Sequence, residues 1–220
     1  MIWVLTPTKL DDGGFNRIYP DGAADIVVSA ENASAHGPAP SFRWISSKVP
    51  LAGLRIRRGS AKAVLGVSPS ELAAGPVSIG DLWGQRGRDV AERLADSFAS
   101  AVPIASMASL LAELLAGTGE PDGAVLGAID GLVFPRGTPM GALVRDIGLS
   151  ERQLRRRFKN HVGLGMREYA RIMRFQRLLD TIRLRQRDRG ASPAGWAALA
   201  SDHGYADQAH LIREVRALPD

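Results

Sequence analysis

The heptapeptide Ala142-Leu143-Val144-Arg145-Asp146-Ile147-Gly148 recurs as Ala198-Leu199-Ala200-Ser201-Asp202-His203-Gly204, with alanine, leucine, aspartate and glycine in register. No other feature restricts the fold as much. Each copy follows a hydroxyl-proline pair, Thr138-Pro139 and Ser192-Pro193, and proline is preorganised for the first position of a helix. Each copy also precedes a second helix with its own cap. The unit in both places is therefore a helix, a tight turn at glycine and another helix. In the second copy Asp207 is the expected cap, and Leu211, Val215 and Leu218 form the apolar stripe.

The second helix of the first copy is the more sharply written. Ser150 and Gln153 have capping-box spacing, and Leu149 with Leu154 can form the matching hydrophobic staple. A helix started there carries Leu154, Phe158 and Val162 on one stripe at i, i+4, i+8. At about 100° per residue, Arg152, Arg156 and Lys159 fall on the other side, with Arg155 beside them. One side anchors to a core while the other offers cations in a row. Charge over the whole chain tells the same story. Between Arg145 and Arg189 there are 14 Arg/Lys against 5 Asp/Glu, whereas the rest of the chain has 14 basic and 18 acidic residues. Such asymmetry points to a polyanion, nucleic acid before an anionic membrane. The plain alternative is a solvated, charge-rich helix surface.

Upstream, the pattern from Trp3 to about Gly66 is strand-like. Ile26-Val27-Val28 is a short apolar run and Leu54-Arg55-Ile56-Arg57 alternates with period two. The Gly-, Pro-, Ser- and Asn-rich stretch from Ser29 to Ser41 reads as loop. Ser68-Pro69-Ser70-Glu71 opens a short helix that Gly75-Pro76 closes. Val90, Leu94 and Phe98 mark one helix; Ile104, Met107, Ala108, Leu111, Leu114 and Leu115 mark another. Their stripes read as core, or alternatively as a dimer interface. The run from Gly117 to Gly123 is the best domain boundary. Beyond it come a weaker helix from Val125 to Leu132 and a long one from Met166 to Leu184, the latter about 28 Å at 1.5 Å per residue. Arg185 to Gly190 reads as a basic loop.

From about Asp122 to Leu218 the chain resembles the DNA-binding domain of AraC/XylS-type bacterial transcription regulators. The likeness rests on Gly148-Leu149-Ser150-Glu151-Arg152-Gln153-Leu154, Arg156-Arg157-Phe158-Lys159, Val162-Gly163, Tyr169, Arg174-Phe175, Gly204-Tyr205, Asp207-Gln208 and His210-Leu211. Arg17 to Gly22, Asp25-Ile26-Val27 and Leu65-Gly66-Val67 are similar to a β-rich sensor domain of some of these regulators. The resemblance implies an α+β chain: a β-rich sensor or dimerisation domain with trailing helices over residues 1–117, then an all-α domain over 122–220 with two helix-turn-helix units joined by a long helix. By carry-over, Arg152, Arg155 and Arg156 read bases from the first unit, and Gln208, Ala209, His210 and Arg213 from the second. Lys159, Arg171 and Arg174 are expected on phosphates. Two positions depart from the pattern: Met166 stands where proline is usual, and Ala23 where the sensor pattern often has cysteine. The family also continues with a further short helix where this sequence runs into Pro219-Asp220, so Leu211, Val215 and Leu218 are expected to lack part of their packing and the second unit to be the less stable.

The function expected is sequence-specific regulation of transcription, as activator or repressor, by binding adjacent major grooves of double-stranded DNA. The alternative is a ligand-binding β domain whose shortened helical part binds DNA weakly or docks a partner protein. The resemblance leaves open a small-molecule effector on the N-terminal domain and a homodimer, and its analogy adds RNA polymerase as a partner. Cysteine is absent, which removes disulfides, thiolate metal sites and cysteine nucleophiles, and with them the methyl-accepting repair proteins that share this DNA-binding domain. His36, His161, His203 and His210 have no metal spacing, and no phosphate loop or nucleophile elbow occurs. Asp21 and Asp25, four apart, suit a ligand site, but turn geometry accounts for Asp21. No enzyme activity, cofactor, metal or membrane partner is expected. The start has neither a basic leader nor a long apolar run, and the expected location is the cytoplasm, associated with the nucleoid.

Overall fold

The structure, a computed structural model, describes residues 1–5, 15–46, 51–99, 109, 117–133, 138–187 and 195–218. Its strands are β1 (Ile2–Leu5), β2 (Phe15–Ile18), β3 (Asp25–Val28), β4 (Ala33–His36), β5 (Arg43–Ser46), β6 (Leu51–Arg55) and the short β7 (Val77–Ser78). Among them run α1 (Ala61–Leu65), a 3₁₀ helix (Pro69–Ala74) and α2 (Ile79–Ala99). The remainder is helical: α3 (Gly123–Val133), α4 (Met140–Ile147), α5 (Glu151–Val162), α6 (Met166–Arg187), α7 (Trp196–Asp202) and α8 (Gln208–Arg216). This is an α+β chain, with its described strands all before residue 79. No helix among the described residues is long and apolar enough to cross a membrane.

Five strands form one antiparallel sheet in the order β1-β6-β3-β4-β7, and β2 pairs with β5. Strand alternation sends Ile26, Val28, Ala33, Ala35, Ala52 and Leu54 to one face, where Leu65, Leu72, Ile79, Val90 and Leu94 cover them. Val90 and Leu94 are thus core residues, while the Phe98 side chain and the stripe from Ile104 to Leu115 lie outside the described residues. Two expectations fail here. The stretch read as loop contains β4, because alanine alternating with serine and histidine gives little hydrophobic contrast. The strand-like stretch to Gly66 contains α1. The Ser68 capping box forms, with Glu71 Oε1 accepting the Ser68 N–H at 3.0 Å, although the helix that it starts is 3₁₀.

Both aspartates near the first turn are occupied. Asp21 accepts the Ala23 N–H at 3.0 Å and pairs with Arg55, whose guanidinium also donates twice to Asp25, at 3.1 and 3.2 Å. Burial raises the Asp21 carboxyl above its ordinary value.

The repeat folds as two similar units. In α4–α5 the turn residue Gly148 has φ +73°, and in α7–α8 Gly204 has φ +75°. Both are left-handed conformations that a side chain would strain. The units are not superimposable position for position. One residue, Leu149, separates Gly148 from the Ser150 cap, whereas Tyr205 and Ala206 separate Gly204 from the Asp207 cap. The Thr138-Pro139 start is borne out within a residue, α4 beginning at Met140 with Pro139 in the cap position. Ser192-Pro193 lies outside the described residues. Between the units α6 runs three residues further than expected, to Arg187. Its 22 residues span roughly 33 Å at 1.5 Å per residue. Arg185 to Arg187 belong to the helix rather than to a loop, and residues 188–190 lie outside the described residues.

The first unit's core gathers Val125, Ile129, Leu143, Leu154, Phe158, Tyr169, Ile172 and Phe175, and it extends across the chain to Phe42 and Tyr19. Leu178, Leu199, Ala200, Tyr205 and Leu211 form the second unit's smaller cluster. The expected packing defect at the end of the chain is absent at Leu211 and Leu218 but present at Val215, which is half-buried and lines, with Leu211, Ile212 and Trp196, an apolar groove of about 370 Å³. Leu211 is 3% and Leu218 1% exposed, because Leu218 joins the first unit's cluster and its carbonyl accepts the Phe42 N–H at 3.1 Å. The β part and α6 also meet at Pro20, whose carbonyl accepts from Gln176 Nε2 at 2.6 Å. Beside it Gly22, at φ +69°, lies so close to Tyr169 that a Cβ would stand 2.8 Å from the ring.

Gly22→Ala meets both the strained dihedral and that ring. It is expected to lower stability by about 1–3 kcal/mol, read as a lower urea midpoint with an unchanged helical signal. An unchanged midpoint would mean that the Pro20–Gly22 turn does not bear on α6.

Candidate nucleic-acid interface

The capping box that opens α5 is complete. Ser150 Oγ accepts the Gln153 N–H at 3.4 Å, and Gln153 Oε1 accepts the Ser150 N–H at 3.0 Å. Leu149 packs against the cluster that holds Leu154, as a staple does. Leu154, Phe158 and Val162 are buried, so the rotation of α5 about its own axis is fixed. Arg152, Arg156 and Lys159 are consequently exposed.

The remaining cations of α5 are engaged. Glu151 takes Arg155 through Oε1, with Nε at 2.7 Å and Nη2 at 2.6 Å. Asp122 stands 3.5 Å from Arg157 Nη1 and 3.7 Å from His161 Nε2, and it also caps α3 by accepting the Ala124 and Val125 N–H groups. A groove of about 840 Å³ is lined by Arg155, Arg156, Arg157, Lys159, Asn160 and His161, with Ser70 and Asp122 at its walls. Burial holds the His161 imidazole below its ordinary pKa; Asp122 opposes that, while Lys62 and Arg157 reinforce it.

On α6 the two expected phosphate contacts are not free tips. Arg171 is half-buried, and its Nε is buried with no hydrogen-bond partner among the described residues. Arg174 lies over the Tyr205 ring, 5.3 Å from the centroid, and donates to the Gly204 carbonyl at 3.4 Å. Its Nη1 is also 3.6 Å from Glu214. Nearby, Arg177 Nη1 donates to the Val133 carbonyl.

On α8 the Asp207 cap accepts the His210 N–H at 2.6 Å. Gln208, Ala209 and Arg213 are exposed. His210 is turned inward: Nδ1 accepts the Ala206 N–H at 3.0 Å, which leaves the proton on Nε2, 3.4 Å from Glu214 Oε1. The structure therefore brings Arg152, Arg155, Arg156 and Lys159 together on one helix, and Gln208, Ala209 and Arg213 on another. Arg174 and His210 meet each other's partners instead.

No protein-family model matches this chain. Nor does any curated protein. Two solved structures of ToxT from Vibrio cholerae, one of them an apo variant, are similar to this chain with a TM-score of 0.43 each. Identity is 9% and 10%, over 99% and 100% of this chain and 89% of theirs.

Three carboxylates at this surface, Glu151, Asp122 and Glu214, have no role in the sequence patterns, yet each pairs with a basic residue here. Glu151 and Glu214 carry a local signal, since each stands at i,i+4 from its partner, Arg155 and His210. Asp122 is joined to Arg157 and His161 only by the fold.

The lowered pKa of His161 gives a sign. The folded chain favours the neutral ring and the unfolded chain protonates near 6.5, so this contribution is present above that pH and is lost as pH falls through it. The urea midpoint is expected to drop between pH 7 and pH 5, less steeply in His161→Gln. Parallel profiles for the two proteins would show that His161 is not responsible.

Proposed function

We propose that this chain is a DNA-binding transcription regulator that reads adjacent major grooves with α5 and α8, each the second helix of a helix-turn-helix unit. One observation carries the reading. Arg152, Arg156 and Lys159 stand exposed on a capped, rotationally fixed helix and make no ion pair among the described residues, although Arg155 and Arg157 beside them do. Cations left unmatched in this way on a rigid helix suit the phosphate-flanked major groove, where an arginine forks onto guanine O6 and N7. The length of α6, roughly 33 Å, suits the ~34–36 Å between grooves on one face of a duplex.

Roles follow from exposure. Arg152 and Arg156 are assigned to bases on α5, with Arg155 positioned by Glu151. Lys159 is assigned to phosphate. On α8, Gln208, Ala209 and Arg213 are the exposed reading positions. The β-rich part is assigned a sensing or dimerising role, and its seat on α6 through Pro20, Gly22 and Phe42 is the physical route by which a change there would reach both units.

Duplexes selected from random DNA by the full chain supply the site for a salt-dependent gel shift. Arg152→Ala with Arg156→Ala is expected to lower selective affinity by about 30- to 10,000-fold, at about 1–3 kcal/mol for each of the two bidentate pairs. Lys159→Ala is expected to weaken binding to all sequences and to reduce the salt slope by about 0.9. Retention of selective binding by the double arginine variant would overturn the assignment.

A further inference from the structure

The contacts of Arg174 are unusual for a surface arginine on a DNA-binding protein. Its Cζ lies over the Tyr205 ring, 5.3 Å from the centroid, its Nη1 donates to the carbonyl of the turn residue Gly204 at 3.4 Å, and the same nitrogen faces Glu214 Oε2 at 3.6 Å. One guanidinium thus touches the turn, the residue after the turn and the last turn of α8. The other oxygen of Glu214 faces His210 Nε2 at 3.4 Å, and the His210 ring stands edge-on to Tyr205 at 5.6 Å and 78°. His210 Nδ1 then closes the circuit by accepting the Ala206 N–H.

A phosphate contact would ask something different of these groups. Only 24% of the Arg174 side chain is exposed, and Glu214 beside it would repel a phosphate. With Nδ1 accepting the Ala206 N–H, the one ring donor of His210 is Nε2–H, and it faces Glu214 Oε1 at 3.4 Å. The planar guanidinium, by contrast, suits a clamp: it lies over a ring, donates to a carbonyl and faces a carboxylate at ion-pair distance.

We infer that Arg174, with Glu214 and His210, is a clamp that fixes α8 against α6 and so sets the spacing and rotational phase at which two half-sites are accepted. Arg174 and His210 are positioning residues and neither touches the duplex. The spacing consequence rests on the regulator reading above; the clamp itself does not.

Two measurements on the full chain test it. Without DNA, Arg174→Ala is expected to speed amide hydrogen exchange in α8 by about tenfold while α5 keeps its wild-type rates; unchanged exchange in α8 overturns the clamp. With DNA, the selected two-part site is compared with versions whose half-sites are moved one base pair apart or together. Wild type is expected to reject these by on the order of tenfold, the scale of one mismatched pair. Both Arg174→Ala and Arg174→Lys lose that discrimination and keep the salt slope. Lysine is the informative substitution, since it restores a phosphate contact but not a stacked fork. If Arg174→Lys behaves as wild type, or Arg174→Ala lowers the salt slope by about 0.9 with spacing preference intact, Arg174 is a phosphate contact and the inference fails. If wild type selects no site, the regulator reading fails and the spacing consequence with it, while the exchange result still decides the clamp.

Discussion

Phe175, near the middle of α6, is the residue against which the distant parts of the chain are assembled. Tyr19 and Phe42 reach it from the β-rich part, with ring centroids 6.0 and 5.7 Å away, and they lie 5.1 Å from each other, edge to face. Aromatic pairs of this geometry contribute about 0.5–1.5 kcal/mol each beyond their area. Nearly two turns earlier Phe158 meets Tyr169 at 5.3 Å and ties α5 to the same helix. The neighbouring Arg174 turns the other way, to α8. A single helix therefore carries the β-rich part and both repeated units on different sides, and a rotation of any of them works against apolar burial on α6.

Formal charge overstates what that helical half can offer a polyanion. The segment is strongly basic in sequence, yet Arg155, Arg157 and Arg174 each face a carboxylate of the same chain. What remains outward on α5 is a narrow set, Arg152, Arg156 and Lys159. Pairing here sharpens the surface more than it stabilises the fold, because exposed pairs of this kind contribute only about 0–1 kcal/mol.

Local chemistry was legible and long-range chemistry was not. The Ser150–Gln153 box, the buried stripe of α5 and the two turn glycines follow from residues within four positions of one another, and such signals survive in a single sequence. The alternation of Ala33-Ser34-Ala35-His36 was too weak in hydrophobic contrast to announce a strand, though Ala33 and Ala35 are buried. The end of α6 was placed at the first cluster of charges, whereas arginine is a good helix former and lets the helix run on. Arg174 and His210 take their expected DNA contacts from the family resemblance, not from any local pattern. Their partners, Gly204, Tyr205 and Glu214 for one and Ala206 and Glu214 for the other, are set by how α8 docks, which no periodicity encodes. Asp122 is the same case on α5.

The amide of Phe42 and the carbonyl of Leu218 have an effect on how the chain reaches this structure. They join segments that lie almost a whole chain apart, and closing so large a loop carries an entropic cost that grows with the logarithm of its length. The helical units, whose contacts are mostly near neighbours, form quickly; the Tyr19–Phe42–Phe175 seam can only close afterwards. During synthesis the β-rich part emerges first and must wait with Tyr19 and Phe42 uncovered until α6 arrives. Until then those two rings are exposed apolar surface, of the kind that makes a partly folded chain prone to aggregate.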